Sequence, residues 1–478
     1  MKTKYDAIVI GSGPNGFAAA IELAKANLSV ALFEAKGTVG GGMRSGELTL
    51  PHFIHDICSA IHPLAISSPF FNKLSLESHG VEWIQPPSPL AHPFDNGSAA
   101  VLERSVERTC HALAKDAQAY KKLMEPFIEN WTELSSDLLA PLHFPKHPFQ
   151  MAKFGFLGLR SAEGLCQEKF EEDQTKSLFL GMAAHSFLPL TRPLSAAFGL
   201  ILAILGHVKG WPIVKGGSQL IASGLEFVFR SLGGEIYTNE TIKNIDTLPP
   251  SKVIVCDVTP RQLLKMAGHR LSESYKNQLE RYRYGPGVFK VDWALNAPIP
   301  WKAEACKKAG TIHLGGSANE IIESEQLIWE GKVSEKPFVI LAQQSLFDPT
   351  RSPIGMHTGW AYCHVPNGCT IDMTERIESQ IERFAPGFRD CILARSSRSP
   401  KDMEHYNANN IGGDINGGVQ DLSQLFTRPV VRFNPYSTSC KELYICSSST
   451  PPGGGVHGLC GYFAAKAILR TYSKSSIG

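Results

Sequence analysis

The apolar positions of the first forty residues form two short runs separated by a helical stripe. Ala7-Ile8-Val9-Ile10 is a continuous apolar run of the kind carried by a strand buried on both faces. Ala20, Leu23 and Ala24 then share one face at helical spacing, and Val30-Ala31-Leu32-Phe33 predicts a second strand ending on Glu34. Asn27 stands where the helix should end and, after glycine, is the residue best suited to a left-handed cap.

Further along, the pattern from about Asn72 to Val208 is mostly helical, as in Ser105 to Leu139, and is broken by a His/Pro-rich loop from Pro141 to Pro148. Gly210 to Gly217 punctuates the chain, and an amphipathic helix follows to about Leu232. Glu235 to Thr238 and Val253 to Cys256 read as strands, the second ending at Asp257. Gly287 to Leu295, Phe338 to Gln344 and His357 to Val365 are β-like, with a helix from about Met373 to Phe384. Near the C-terminus, Leu443 to Cys446 predicts a buried strand. Gly453-Gly454-Gly455-Val456-His457-Gly458 then opens a helix carrying Ala464, Ala465 and Ile468.

Between the first strand and its helix stand Gly11-Ser12-Gly13-Pro14-Asn15-Gly16, a G-x-G-x-x-G loop in strand–loop–helix context. An acid, Glu34, lies about 20 residues further on. Gly11 suits the tight turn, Gly13 lets the backbone approach a pyrophosphate, and Gly16 lets the helix pack against the strand. A carboxylate at position 34 can accept from both ribose hydroxyls and would repel a 2′-phosphate. The glycine-rich opening of the last helix offers a second set of free N–H groups. Two helix N-termini at opposite ends of one chain favour one long cofactor, FAD over NAD. The segment Gly412 to Gly418 has no apolar strand before it, so no second dinucleotide loop is present and a firmly held NAD(P) lacks its usual site.

Length and charge narrow the picture. A chain of 478 residues exceeds one simple core and predicts two or three joined domains. The net charge of +2, without a block of like charge, argues against a nucleic-acid partner. Pro193 to Val208 comes nearest to a membrane span but is too short, and Arg192 separates it from the uncharged run Ser177 to Thr191. Shallow membrane contact or a greasy tunnel from Leu178 to Val208 competes with ordinary core helices as the expectation. A first strand beginning by Tyr5 leaves no room for a signal peptide, so a cytoplasmic location is expected, with peripheral membrane contact open. The 11 cysteines are scattered, with neither a C-x-x-C nor a zinc-like spacing, so free thiols and no metal site are expected.

These motifs resemble a known family. Gly11-x-Gly13-x-x-Gly16, Glu34 and Gly40-Gly41-Gly42-x-Arg44 look like the FAD signature of glutathione-reductase-like flavoproteins in the amine oxidase and phytoene desaturase branch. Lys215-Gly216-Gly217, Gly233-Gly234-Glu235-Ile236 and Thr450 to Gly458 resemble the phytoene dehydrogenase and carotenoid isomerase relatives. More narrowly, the chain resembles the pyridine nucleotide-disulfide oxidoreductase domain-containing protein 2 group. Disulfide chemistry is not supported, because Met43, Arg44 and Ser45 follow Gly42 where a redox cysteine pair would be needed.

The resemblance implies an α/β fold: a glutathione-reductase-like Rossmann FAD-binding domain interleaved with an α+β substrate domain of mixed sheet and helices. The FAD-binding domain would comprise 1–75, 210–262 and 435–478, and the substrate domain 76–209 and 263–434. Cofactor contacts are expected from Gly11, Ser12, Gly13, Pro14, Asn15, Gly16, Glu34, Ala35, Gly41, Gly42, Met43, Arg44, Ile242, Thr450, Gly455, Val456 and His457. Glu34 would bind the adenosine ribose, Arg44 would lie near the pyrophosphate or flavin-proximal chain, and Ile242 would pack on adenine. Val456 and His457 would border the flavin.

Hydride transfer to flavin needs mainly positioning in a dry pocket, so no protein base is required. Lys290 resembles the lysine that amine-oxidase folds hold near the flavin; a solvated lysine on a strand edge is the competing expectation. Asp414 is an acid–base candidate or a turn aspartate. His55 and Asp56 are expected to line the flavin pocket or to form a structural pair. Trp360 and Tyr362 share a strand face and are expected in the core rather than around a substrate. The expected activity is FAD-dependent dehydrogenation of a largely apolar small molecule, the flavin being reoxidised by oxygen, a quinone or transient NAD(P). Polyene isomerisation on reduced FAD, amine oxidation and a flavin-holding interaction role remain alternatives.

Overall fold

In a computed structural model of the chain, residues 3–475 are described, and two sheets organise them. The five-stranded sheet is parallel throughout. Its order is Leu443–Ile445, Ser251–Cys256, Tyr5–Ile10, Val30–Phe33 and Glu235–Tyr237. Its strands read as unbroken apolar runs because both faces are covered. Val9, Leu32 and Val255 enter one core, and Ile8, Ile10 and Phe33 enter the other. These strands come from 5–33, 235–256 and 443–445; positions 1–2 and 476–478 of the expected FAD-binding segments lie outside the described residues.

Helix Pro14–Lys25 follows the first strand and ends at Asn27, whose φ of 62° is the left-handed cap its position predicts. Helix Leu459–Ser475 follows the last strand and lies directly against helix Pro14–Lys25. Gly461 makes that approach possible, since a Cβ there would stand 1.7 Å from the Asn15 carbonyl oxygen.

The second sheet is mixed and seven-stranded: Ile392–Arg398, Gly287–Leu295, His357–Val365, Val339–Ala342, Ala309–Leu314, Ser88–Pro93 and Ala99–Leu102. Side chains alternate along each strand, so its two faces differ in role. Val291, Trp293, Leu341 and Ala361 pack beneath helix Thr374–Phe384. Lys290, Asp292, Ile340, Trp360 and Tyr362 occupy the other face. That face looks toward helices Asp173–Ala184 and Ser195–Val208, which pack on each other.

Three strands, Trp83–Ile84, Ser88–Pro93 and Ala99–Leu102, lie inside the stretch expected to be mostly helical. Ser88–Pro93 carries Pro89 and Pro93, which weaken its strand signal, yet it is fully buried between two neighbours. Burial overrides composition there.

Arg351 closes the seam between the sheets. Its guanidinium donates to Asp56 at 3.0 Å, Asp348 at 2.9 Å and the Val214 carbonyl at 2.8 Å, all out of contact with solvent. Asp56 also accepts from the Ser218 amide at 2.8 Å, and Asp348 from the Gly216 amide at 2.7 Å. Burial, the largest single influence, raises the Asp56 carboxyl, but the Arg351 charge together with the hydrogen bonds from Ser218 and Ser45 holds the group below its ordinary value. Arg351→Met should cost about 3–5 kcal/mol, because two buried carboxylates lose their cation. Denaturant unfolding measures this; a loss below about 1 kcal/mol, the scale of an exposed pair, would contradict the seam.

Candidate functional site

One cavity of about 960 Å³ runs between the two sheets. Its dinucleotide end is walled by the loop after the first strand, by Glu34 at the end of the second, and by the glycine turn before the C-terminal helix. Gly11, Ser12, Gly13, Pro14, Asn15, Glu34, Ala35, Gly41, Gly42, Arg44, Ile242, Gly455, Val456 and His457 all line it.

Other expected contacts do not. Gly16 stands behind the loop, where a Cβ would meet the Gly11 carbonyl oxygen at 1.9 Å. Met43 points into the core of the parallel sheet. Thr450 is buried and spends its hydroxyl on the Ser447 carbonyl at 2.8 Å.

The fit to FAD rests on geometry present in this structure. The helix starting at Pro14 has no side-chain cap at Gly13, and it touches the C-terminal helix, so two helix N-termini meet one elongated space. The Glu34 carboxylate is fixed at the cavity wall by hydrogen bonds from its neighbours. Its Oε2 accepts from the Ser12 amide at 3.1 Å and from the Ser12 hydroxyl, and its Oε1 accepts from the Lys36 amide at 2.9 Å. Arg44 is paired to Glu34 at 2.9 Å and donates to the Thr38 carbonyl, which fixes its guanidinium at the cavity wall. Tyr406 packs 5.6 Å from the Arg44 guanidinium and donates its hydroxyl to the Gly41 carbonyl.

His457 is a neutral brace. Burial lowers it to about 4, its Nδ1 accepts from the Leu459 amide at 3.0 Å, and Nε2 faces the Gly453 carbonyl at 3.2 Å.

Asp257 is a cavity residue that the motif search missed. It follows the buried strand Ser251–Cys256, at the strand end where open parallel sheets take their ligands, and that position was its signal. Its Oδ2 accepts from the Gly16 amide at 2.9 Å. Burial pushes its carboxyl up to about 7, the Gly16 amide opposes the shift, and the Glu34 charge adds to it.

Beyond the dinucleotide end, the mixed sheet forms one wall. Lys290 is 2% exposed on a strand with neighbours on both sides, so it is not a solvated edge lysine. Its ammonium pairs with Asp292 and lies 5.6 Å from the Trp360 ring. Burial lowers Lys290 and raises Asp292, which brings the pair toward sharing a proton.

His55 does not line the cavity. It sits behind Asp292, with Nδ1 3.7 Å from that carboxylate and Nε2 2.8 Å from the Thr49 hydroxyl, and burial lowers it to about 3. Its neighbour Asp56 is also outside the cavity, bound to Arg351. Asp414 accepts from the Gly285 and Asn416 amides at 2.8 and 2.7 Å and lies off the cavity, so it is a turn aspartate. Trp360 and Tyr362, expected in the core, do line the cavity. So do Leu194, Ala197, Phe198, Ile201 and Leu202, which puts part of the Leu178–Val208 stretch on a chamber wall.

All eleven cysteines are free, and Cys58 lines the cavity with no second thiol beside it among the cavity residues. No group of three or more potential metal-ligating side chains occurs among the described residues.

Comparison with known proteins extends the picture. Residues 9–74 match the NAD(P)-binding Rossmann-like domain family. Over 98% of its length the chain is 24% identical to pyridine nucleotide-disulfide oxidoreductase domain-containing protein 2 of Mus musculus, covering 94% of that protein. It is 23% identical to a lycopene-forming phytoene desaturase of Pantoea ananas, over 96% of this chain and 98% of the other. The fold matches a redesigned putrescine oxidase with a TM-score of 0.63 at 16% identity, over 98% and 99% of the two chains. These likenesses show a Rossmann-like dinucleotide-binding segment at residues 9–74 and an overall fold shared with the solved oxidase structure.

Two outcomes check the dinucleotide end. Glu34→Ala should weaken FAD retention by about 1–3 kcal/mol, read as flavin lost on gel filtration. Unchanged occupancy would remove the ribose assignment. Asp257 is protonated in the folded apoprotein at a pH where the unfolded chain is ionised, so its contribution is full below about 4 and is lost as pH rises through about 7. Asp257→Asn should therefore flatten the fall in melting temperature across that window.

Proposed function

We propose that this chain dehydrogenates a largely apolar small molecule, with FAD at the dinucleotide end of the cavity. The observation that carries the reading is continuity: one space joins the Gly11–Gly13 loop to a chamber walled by Leu194, Ala197, Phe198, Ile201 and Leu202. When bound, FAD supplies the redox step by accepting a hydride from a substrate carbon.

The chain's own residues then bind, orient and exclude water. Glu34, the free amides at the first helix N-terminus and Ile242 hold the adenosine half, and the Gly455–His457 turn borders the other half. The apolar face of helix Ser195–Val208 aligns an elongated substrate along the mixed sheet. Lys290 and Asp292 hold a proton at the chamber wall, where Lys290 Nζ can take up or release it as the substrate changes.

Charge supports an apolar substrate over an amine. A protonated amine would need an acid in the chamber. Among the described residues the cavity acids are Glu34, Asp137, Glu240 and Asp257. Glu34, Glu240 and Asp257 stand at the dinucleotide end, and Asp137 is engaged by the Lys146 and His147 amides.

The FAD-loaded protein, mixed anaerobically with terpenoid hydrocarbons and separately with alkyl amines, should lose its oxidised flavin absorbance with the hydrocarbons alone. Bleaching by amines alone would overturn the reading. Conversion of a polyene to its geometric isomer with no net flavin reduction would mark an isomerase. Reoxidation of the bleached protein by oxygen, a quinone or NAD(P)⁺ then identifies the acceptor.

Lys290→Met should slow bleaching roughly 100-fold, the scale of a positioned proton-transfer group, while FAD stays bound. Because the substitution also strips Asp292 of its partner, melting is measured alongside. An unchanged rate would leave Lys290 a structural residue.

A further inference from the structure

Large apolar side chains crowd one outer surface. Phe144, Phe149 and Phe156 are 88%, 90% and 76% exposed, and Leu142 is 76% exposed. Single exposed apolar residues are ordinary, but a contiguous group marks an interaction surface.

The group spans the loop 141–147 and helix Pro148–Gly158. Phe149 and Phe156 are about two turns apart and share the outer face, whereas Phe154 on the inner face packs edge-on against Phe127 at 5.8 Å. A helix apolar on both faces is not satisfied by water on one of them. The loop is held in place: Asp137 accepts from the Lys146 and His147 amides at 3.0 and 2.9 Å and pairs with the His143 ring at 2.9 Å. Phe144 is thereby presented outward.

Two observations indicate what covers this surface. The first is charge. Lys146 and Lys153 stand among the phenylalanines, and no Asp or Glu occurs from residue 138 to residue 162. Neither lysine has an ion-pair partner among the described residues; Lys153 instead lies 5.7 Å from the Phe127 ring. Aromatic rings interleaved with lysines match an anionic bilayer interface, where rings settle at headgroup depth and lysines meet lipid phosphates. The second is the cavity. Leu142 and Leu159 are exposed and also line it, so its mouth opens inside the patch.

We propose that this rim docks on an anionic lipid bilayer, from which apolar substrate enters the chamber without crossing water. The stretch Leu178 to Val208, for which membrane contact, a tunnel and core helices were the alternatives, divides between the core and the chamber wall. No described helix is long and apolar enough to span a bilayer, so the contact is a surface one. Substrate delivery rests on the apolar-substrate reading above; the docking itself does not.

Flotation of the FAD-loaded full chain with phosphatidylcholine vesicles, with and without phosphatidylglycerol, tests the surface independently of turnover. Binding should appear with the anionic vesicles and weaken as salt rises. Phe144→Ser with Phe149→Ser and Phe156→Ser should reduce it at least roughly 10-fold, with melting and FAD content unchanged because all three rings are exposed. Lys146→Glu with Lys153→Glu should lose the preference for phosphatidylglycerol, roughly 5-fold or more per charge. Failure to float on either vesicle, or flotation unaffected by both variants, would overturn the proposal. So would conversion of a dimer to a monomer by the phenylalanine substitutions, which would identify a second copy of the chain as the occupant.

Discussion

The Arg351 guanidinium is the contact on which the cavity depends. Its planar array of donors reaches Asp56, Val214 and Asp348 at once, and those residues come from three separated stretches of chain. Burying such a cluster is costly in desolvation, so its value lies in specifying one arrangement rather than in net stability. That specification matters because the chain passes back and forth between the sheets. Strand Ile54–Asp56 shows the consequence at single-residue scale. Successive side chains on a strand point to opposite sides, so fixing Asp56 on Arg351 directs His55 toward Asp292, behind the chamber wall.

The chamber inherits its character from alternation in the mixed sheet. Lys290 lines it with Asp292 behind on the same strand face, while Val291 and Trp293 face the opposite core. Neighbouring strands continue the pattern, with Tyr362 beside Lys290 and Trp360 beside Asp292. Helix Ser195–Val208 supplies a facing wall made of aliphatic and aromatic carbon. One polar pair is therefore set in an apolar room, and it is the room that pulls Lys290 and Asp292 toward a shared proton.

The parallel sheet and the dinucleotide end were legible in the sequence because their signals are local. Apolar runs, a glycine loop and a terminal acid each occupy a few consecutive residues, and the Asn27 cap shows in its φ of 62°. The opposite wall was much less legible. Trp360 and Tyr362 have the composition of core residues, and only the register with Asp292 and Lys290 turns them toward the cavity. Lys290 is an ordinary lysine until its strand is known to lie between two others. Asp414 and His55 are polar residues beside glycines or other polar residues, a pattern that serves turns and buried pairs as readily as chemistry. Thr450 and Met43 sit within the right motifs, but their side chains point away from the space those motifs enclose.

Protonation narrows what the chamber can do. His62 and His185 line the cavity, and burial lowers them to about 4 and about 3, so both are neutral at ordinary pH. Burial raises the Cys58 thiol and the Tyr362 phenol, which keeps them protonated. The Lys290–Asp292 pair differs from these, since burial lowers the lysine and raises the acid. A pocket of that kind gives a cation no counter-charge of its own, whereas it gives a neutral hydrocarbon contact along its whole length. The same carbon-rich surface continues outward through Leu142 and Leu159 to the exposed phenylalanines. An apolar molecule moving along it passes Asp137 at the mouth, where the Lys146 and His147 amides hold that carboxylate, and then reaches Lys290 beside the dinucleotide end.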